Sequence, residues 1–305
     1  MSEFRSGFVC IVGRPNTGKS TLTNALVGTK VAITSDKPQT TRHAIRGLVH
    51  RPQGQIVVVD TPGLHRPRTL LGQRLNELVR TTWADVDVIA MCFPADQPIG
   101  PGDRMIANDI AAMQRTPKIA LLTKTDLVSK KVLAERLMAL QELARSNNWE
   151  WAHIVPVSAV TTENIDVVAD VLISMLPVGP ALYPEGEISE EEDEKWVAEL
   201  IREAALDGVR DELPHSIAVV VEEMKLREDR PEGKPLLDIH ANLFVERDSQ
   251  KAIVIGRGGE RLKNVGQVAR QQIERMLGVR VFLDLRVKVA PDWQRDPKQL
   301  NRLGF

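Results

Sequence analysis

The segment Phe8-Val-Cys-Ile-Val12-Gly13-Arg-Pro-Asn-Thr-Gly18-Lys19-Ser20-Thr21 decides the architecture of the first half of this 305-residue chain. Residues 8–12 are apolar throughout, as a strand buried on both faces must be, and residues 19–27 follow as a helix. Between them lies GxxxxGK[ST]. Its glycines let main-chain N–H groups curl around phosphate oxygens at a helix N-terminus. Lys19 is then placed to reach β- and γ-phosphates, and the Ser20 hydroxyl to hold Mg²⁺.

The same rhythm continues outward. Residues 56–60, 86–93, 119–123 and 154–157 read as buried strands, alternating with helical patterns over 70–84, 102–114, 131–145 and 164–176. That alternation predicts a doubly wound α/β domain with a mostly parallel sheet over residues 1–178. Residues 43–50 read as an added edge strand. A Pro/Gly-rich, then acidic stretch (179–194) reads as a linker with a solvated face. From 195 the order changes: a helix, a strand at 217–223, a polar hairpin around Asp229 to Lys234, a strand at 237–246, a long amphipathic helix at 259–277 and an alternating strand at 279–289. A small α+β domain over 195–305 is expected. Composition is globular, 43% hydrophobic and 27% charged, which argues against disorder. Cys10 and Cys92 lie in apolar runs with no CxxC, which predicts core packing in a reducing compartment rather than zinc binding. The N-terminus lacks a signal-peptide layout and no apolar run reaches the ~18 residues of a membrane span, so a soluble, cytoplasmic protein is expected.

Base and metal choice are read from strand ends. Asp60-Thr61-Pro62-Gly63 closes an apolar strand where α/β ligands bind, and Asp60 is placed to reach the Mg²⁺ shell. Thr123-Lys124-Thr125-Asp126 offers a carboxylate that can accept from guanine N1–H and N2–H₂; adenine lacks that donor pair. Lys124 can lie over the ring, and Ser158-Ala159 can present an N–H to guanine O6. In the aperiodic stretch 35–42, Thr41, in preference to Thr40, is expected to meet Mg²⁺ and the γ-phosphate when GTP is bound and release after hydrolysis.

In the second domain, Gly256-Arg257-Gly258-Gly259 forms a GxxG loop of the kind that clamps a nucleic-acid backbone. From Lys251 onward there are 12 Lys+Arg against 5 Asp+Glu, whereas Glu185 to Glu212 holds 3 against 12. The basic excess is thus local to the loop, as a phosphate-binding footprint should be. Arg261 and Lys263, nearest the loop on the following helix, are the expected supporting cations.

With both halves read, the chain resembles the Era family of bacterial ribosome-assembly GTPases along essentially its whole length. The resemblance rests on GRPNTGKSTL, KPQTTRHAI, VDTPGLH, TKTDL and VSA, then on ELIREAALDGVRDELPHSIAV, IVIGRGGERLKNVGQVARQQIE and VFLDLRVKV. It implies a P-loop, Ras-like G domain followed by a type II KH domain. It also implies GTP hydrolysis to GDP, Mg²⁺, binding of 16S rRNA near its 3′ end and a late role in 30S subunit assembly. On these motifs the nucleotide contacts are Gly13, Arg14, Pro15, Asn16, Thr17, Gly18, Lys19, Ser20, Thr21, Asp60, Thr61, Pro62, Gly63, Leu64, Thr123, Lys124, Asp126, Ser158 and Ala159. Lys19, Ser20, Thr41, Asp60 and Gly63 carry the chemistry. Peripheral association with the inner face of the membrane and a monomeric state come with the resemblance. Two departures stand out. Thr123 replaces the usual Asn, and its shorter hydroxyl leads us to expect weaker nucleotide binding with guanine specificity retained. Leu64 stands where Ras-like enzymes carry a water-orienting Gln, so slow intrinsic hydrolysis is expected, accelerated by RNA and by K⁺ held at Asn16. The alternatives are an RNA-binding assembly factor in which hydrolysis is incidental, and a P-loop ATPase.

Overall fold

A computed structural model describes residues 3–37, 39–209, 213–228 and 235–305. The polar hairpin expected around Asp229 to Lys234 lies outside the described residues. The chain divides into two compact units: residues 1–34, 39–68 and 72–190 make the first, and 191–305 with the short segments 35–38 and 69–71 the second.

The first unit is built on one six-stranded sheet. Its strands are β1 (Arg5–Val12), β2 (Ile45–Arg51), β3 (Gly54–Asp60), β4 (Val88–Pro94), β5 (Lys118–Thr123) and β6 (His153–Pro156). Their order is β2-β3-β1-β4-β5-β6, with β2 antiparallel to β3 and every other pair parallel. Strands β3, β4 and β5, apolar through their centres, are buried at every position, as helix-covered parallel strands require. Helices α1 (Lys19–Val27) and α5 (Ile165–Met175) supply one layer. The other comes from α2 (Leu70–Ala84), α3 (Pro101–Ala111) and α4 (Lys130–Arg145). Chain order reverses on either side of β1, so the loop leaving β1 sits at the switch point where α/β ligands bind. Cys10 and Cys92 are buried in the two layers, and burial pushes the Cys92 thiol up to about 12.

Residues after α5 do not hang free as a spacer. Ile188 O accepts from Leu48 N at 3.0 Å, Glu187 O meets the His50 ring at 2.7 Å, and Arg46 pairs with Glu190 at 2.7 Å. The Gln55 amide bonds Leu182 N (2.7 Å), Tyr183 N (3.0 Å) and Tyr183 O (2.9 Å). The segment therefore covers the open edge of β2, satisfying donors that an edge strand would otherwise expose.

The second unit begins with α6 (Asp193–Leu206), two residues before the expected start, because Asp193 and Glu194 suit the positive end of the helix dipole. Then come α7 (Leu213–Ser216), β7 (Ala218–Leu226), β8 (Leu236–Val245), α8 (Asp248–Ile255), α9 (Glu260–Leu277), β9 (Arg280–Val289) and α10 (Pro297–Arg302). The sheet runs β7-β8-β9, antiparallel then parallel. Val265, Ala269 and Ile273 of α9 and Val197, Leu200 and Ile201 of α6 cover its inner face, made by Ile239, Leu243, Val281 and Val287. Phe282, Arg286 and Lys288 lie on the solvated face, as the alternation of β9 requires. Helix α8 was not expected: its apolar end, Ala252 to Ile255, is too short for periodicity to separate helix from strand. Trp293 packs in this unit, fully buried, with its indole N–H on Ser216 O at 3.0 Å and its ring stacked on Phe305.

Candidate nucleotide site and nucleic-acid surface

The phosphate-loop, Asp60–Gly63, Thr123–Asp126 and Ser158-Ala159 motifs all lie at the carboxyl edge of the first sheet, because each directly follows a parallel strand, whereas Thr41 precedes the antiparallel β2. The loop after β1 needs its glycines. Gly13 (φ 152°) lies so close to β4 that a Cβ would sit 2.8 Å from Cys92 O, and Gly18 (φ 87°) turns the chain into α1 in the left-handed region. Lys19 is buried and its ammonium donates to Arg14 O at 2.8 Å. The Arg14 guanidinium is held by Asp103, a 1%-exposed carboxylate on α3, at 2.7 Å. It therefore braces the loop from outside.

Three oxygens converge beside Lys19. Ser20 Oγ donates to Asp60 Oδ2 at 2.6 Å and lies 2.9 Å from Thr41 Oγ1, which is 3.5 Å from the same carboxylate oxygen. The other oxygen, Asp60 Oδ1, is buried with no hydrogen-bond partner. Burial pushes the Asp60 carboxyl up to about 6, against the pull of Lys19, Ser20 and Thr41; it pushes the Lys19 ammonium down, against the pull of Asp60. Two hydroxyls and a carboxylate with a spare buried oxygen are the donor set of a hard divalent cation, so these residues fit Mg²⁺.

The Asp60-Thr-Pro-Gly63 turn lies against the phosphate loop. A Cβ on Gly63 would sit 2.6 Å from Pro15 N, and Leu64 N donates to Gly13 O at 3.3 Å. Leu64 itself is 2% exposed and packs in the core with Met91 and Phe93, so its side chain contributes packing and only its backbone faces the loop.

At the base end, the Thr123 hydroxyl reaches Thr17 O at 2.6 Å and Phe93 O at 3.1 Å, tying β5 to both the phosphate loop and β4. A tether from β5 to the phosphate loop is thus present at this position through a hydroxyl. Asp126 is exposed, and its Oδ1 accepts from Ser158 Oγ at 2.6 Å. Lys124 (φ 58°) lies 3.8 Å from Asp96. The Ser158 N–H is spent on Glu163 O at 3.1 Å, which leaves the Ala159 amide as the donor for a base carbonyl.

The nucleic-acid candidates sit in the second unit. Gly256 (φ 73°), Gly258 (φ 60°) and Gly259 (φ 81°) form the turn between α8 and α9. Arg257 and Lys263 are exposed beside it. Arg261 is placed otherwise. Its guanidinium donates to Ala205 O (3.1 Å) and Asp207 O (2.6 Å), capping the carbonyl end of α6. It holds the two helices together rather than standing ready for a phosphate.

Two known domain families match the chain. The family described as "50S ribosome-binding GTPase" matches residues 8–124, and a KH domain family matches residues 212–294. GTPase Era of Streptomyces coelicolor is 66% identical over 99% of this chain and 95% of its own length. GTPase Era of Mycobacterium sp. strain JLS is 65% identical over the full length of both. Among solved structures, Era in complex with MgGDPNP and nucleotides 1506–1542 of 16S ribosomal RNA superposes with a TM-score of 0.93 at 36% identity, covering 99% of each chain. A substituted Aquifex aeolicus Era bound to GDP·AlF4− gives 0.92 at 36% identity, over 98% of this chain and 99% of that one. With two matched domains and full-length relatives at this level, the chain belongs to the Era family of GTPases.

Proposed function

We propose that this chain binds GTP and GDP with Mg²⁺ on the loop from Gly13 to Thr21, hydrolyses GTP to GDP and phosphate, and uses its GxxG surface to bind 16S rRNA near the 3′ end during 30S subunit assembly. The observation that carries the reading is the convergence of Ser20, Thr41 and Asp60 within hydrogen-bond distance of one another beside Lys19. In this reading Ser20, Thr41 and Asp60 hold Mg²⁺, which when bound neutralises charge on the phosphates. Lys19 and the loop amides hold the β- and γ-phosphates, and the Gly63 amide faces the γ-phosphate. Asp126 and the Ala159 N–H read guanine. Arg257, Lys263 and the loop amides hold the RNA backbone. Leu64 has no group to orient water, so turnover by the chain alone is slow, and K⁺ held by Asn16 together with bound RNA raises it. The chain acts as a monomer in the cytoplasm. Among the described residues no helix is long and apolar enough to cross a membrane.

Single-turnover hydrolysis of GTP, in K⁺ and in Na⁺, with and without an RNA carrying the 16S 3′ sequence, tests the coupling. The expected result is faster turnover with RNA and with K⁺. Equal rates in all four conditions would leave hydrolysis incidental to RNA binding, and displacement of labelled GDP by ATP as readily as by GTP would overturn the base assignment. The tether at Thr123 gives a second test. Thr123→Ala leaves the buried Thr17 carbonyl unpaired at a cost of about 1–3 kcal/mol, so GDP release, followed with a fluorescent analogue, should quicken about tenfold. An unchanged rate would mean the loop is held by its own turn alone.

A further inference from the structure

Resting on the nucleotide-switch reading above, we infer that His65 is a positioning residue: its imidazole latches the stretch before Thr41 onto the Asp60-Thr-Pro-Gly63 turn. One ring nitrogen, Nδ1, lies 3.2 Å from Gly63 O; the other, Nε2, meets the side-chain amide nitrogen of Gln39. A carbonyl can only accept, so Nδ1 carries the proton. In the neutral ring Nε2 is then the acceptor and the Gln39 amide the donor. The main chain of His65 is itself pinned, its carbonyl accepting from Asn76 of α2 at 2.9 Å. The residue is therefore held at three points, two on the ring and one on the main chain.

The position of these partners gives the contact its consequence. Gln39, with φ at 60°, is a non-glycine residue in the left-handed region, a conformation that surrounding contacts must hold. It lies two residues before Thr41, whose hydroxyl joins Ser20 and Asp60. Gly63 lies against Pro15 of the phosphate loop. The ties of the Thr41 stretch to the site thus include both Thr41 itself and His65. Holding Gln39 lowers the entropy that must be lost when Thr41 docks. A latch of this kind helps only states in which Thr41 is docked, which in the reading above is the triphosphate state. It also decides what His65 does not do. With both ring nitrogens engaged, the imidazole has no free basic atom with which to orient water, so it does not stand in for the glutamine that Leu64 replaces.

The test compares wild type with His65→Ala, His65→Gln, His65→Asn, Gln39→Ala and the His65→Ala/Gln39→Ala double variant. Affinities for GDP and for a non-hydrolysable GTP analogue, single-turnover hydrolysis and Tm are measured for each. His65→Ala should keep GDP affinity within about twofold and Tm unchanged, while analogue affinity and hydrolysis each fall about tenfold, as for loss of one to two hydrogen bonds. His65→Gln keeps an acceptor for Gln39 and should recover more activity than His65→Asn, which keeps only a donor to Gly63 O. The double variant should match the single ones. The inference is overturned if GDP and analogue affinities fall together with Tm, if neither changes, or if the two substitutions add. Failure of the wild type to bind any guanine nucleotide would instead sink the reading on which the inference rests.

Discussion

Asp126→Asn should convert the chain from guanine to xanthine nucleotides. Guanine presents two donors, N1–H and N2–H₂, to one carboxylate; both bonds are charge-assisted. The substitution replaces one acceptor oxygen with an amide that donates, so one guanine donor faces another. Losing a charged hydrogen bond and leaving polar groups unpaired costs about 3–5 kcal/mol, a drop in GDP affinity of roughly 10²–10⁴-fold. Xanthine carries a carbonyl at that position and accepts from the new amide. The orientation of the new side chain is set locally. Ser158 Oγ accepts from Thr161 N at 3.1 Å and donates to the position-126 oxygen at 2.6 Å, which keeps an amide oxygen there and the nitrogen on the other arm. Asp126 is exposed, so Tm should not move. Competition of GDP and XDP against a fluorescent nucleotide provides the measurement. A variant that still prefers GDP would show that the base is read by some other group.

What could be read from the residues, and what could not, divides along a physical line. The apolar runs Ile56 to Val59 and Val88 to Phe93 arise because helices cover both faces of those strands, and that pattern is local. Each nucleotide motif is likewise a strand end followed by a turn, so the site follows once the strands are placed. The contacts that could not be read all involve long-range partners. Arg261 beside a GxxG loop looks like a phosphate ligand, but what fixes it is a pair of carbonyls 56 and 54 residues earlier. The tether at Thr123 likewise rests on a carbonyl 106 residues earlier, Thr17 O, 2.6 Å from its hydroxyl. The Pro/Gly-rich stretch after α5 carries no period from which pairing with β2 could be read. The Gln39–His65 contact joins two aperiodic loops and leaves no sequence signal.

Gly258→Asp should abolish RNA binding while leaving the nucleotide domain untouched, and the geometry of the loop is why this position is the one to change. At Gly256 a Cβ would sit 2.7 Å from Arg261 Cβ and 3.2 Å from Arg261 N. Any side chain there would push on the residue that caps α6, and lost binding could be lost folding. At Gly258 nothing lies within 4 Å of the Cβ position, and the backbone (φ 60°, ψ 15°) is a left-handed conformation that Asp and Asn adopt more readily than other residues. The fold should therefore accept either residue, and Gly258→Asn isolates charge from bulk. A carboxylate placed where a phosphate must approach adds like-charge repulsion and desolvation in a site built from amides and Arg257. Gly258→Asp should weaken binding to the 16S 3′ sequence at least ~100-fold, about 3 kcal/mol. Gly258→Asn should cost no more than ~10-fold, with Tm and GDP affinity constant for both. Because the loss is electrostatic, it should shrink as salt is raised. Equal binding by the Asp variant, the Asn variant and the wild type, measured by fluorescence anisotropy on a labelled RNA, would move the RNA site away from this loop altogether.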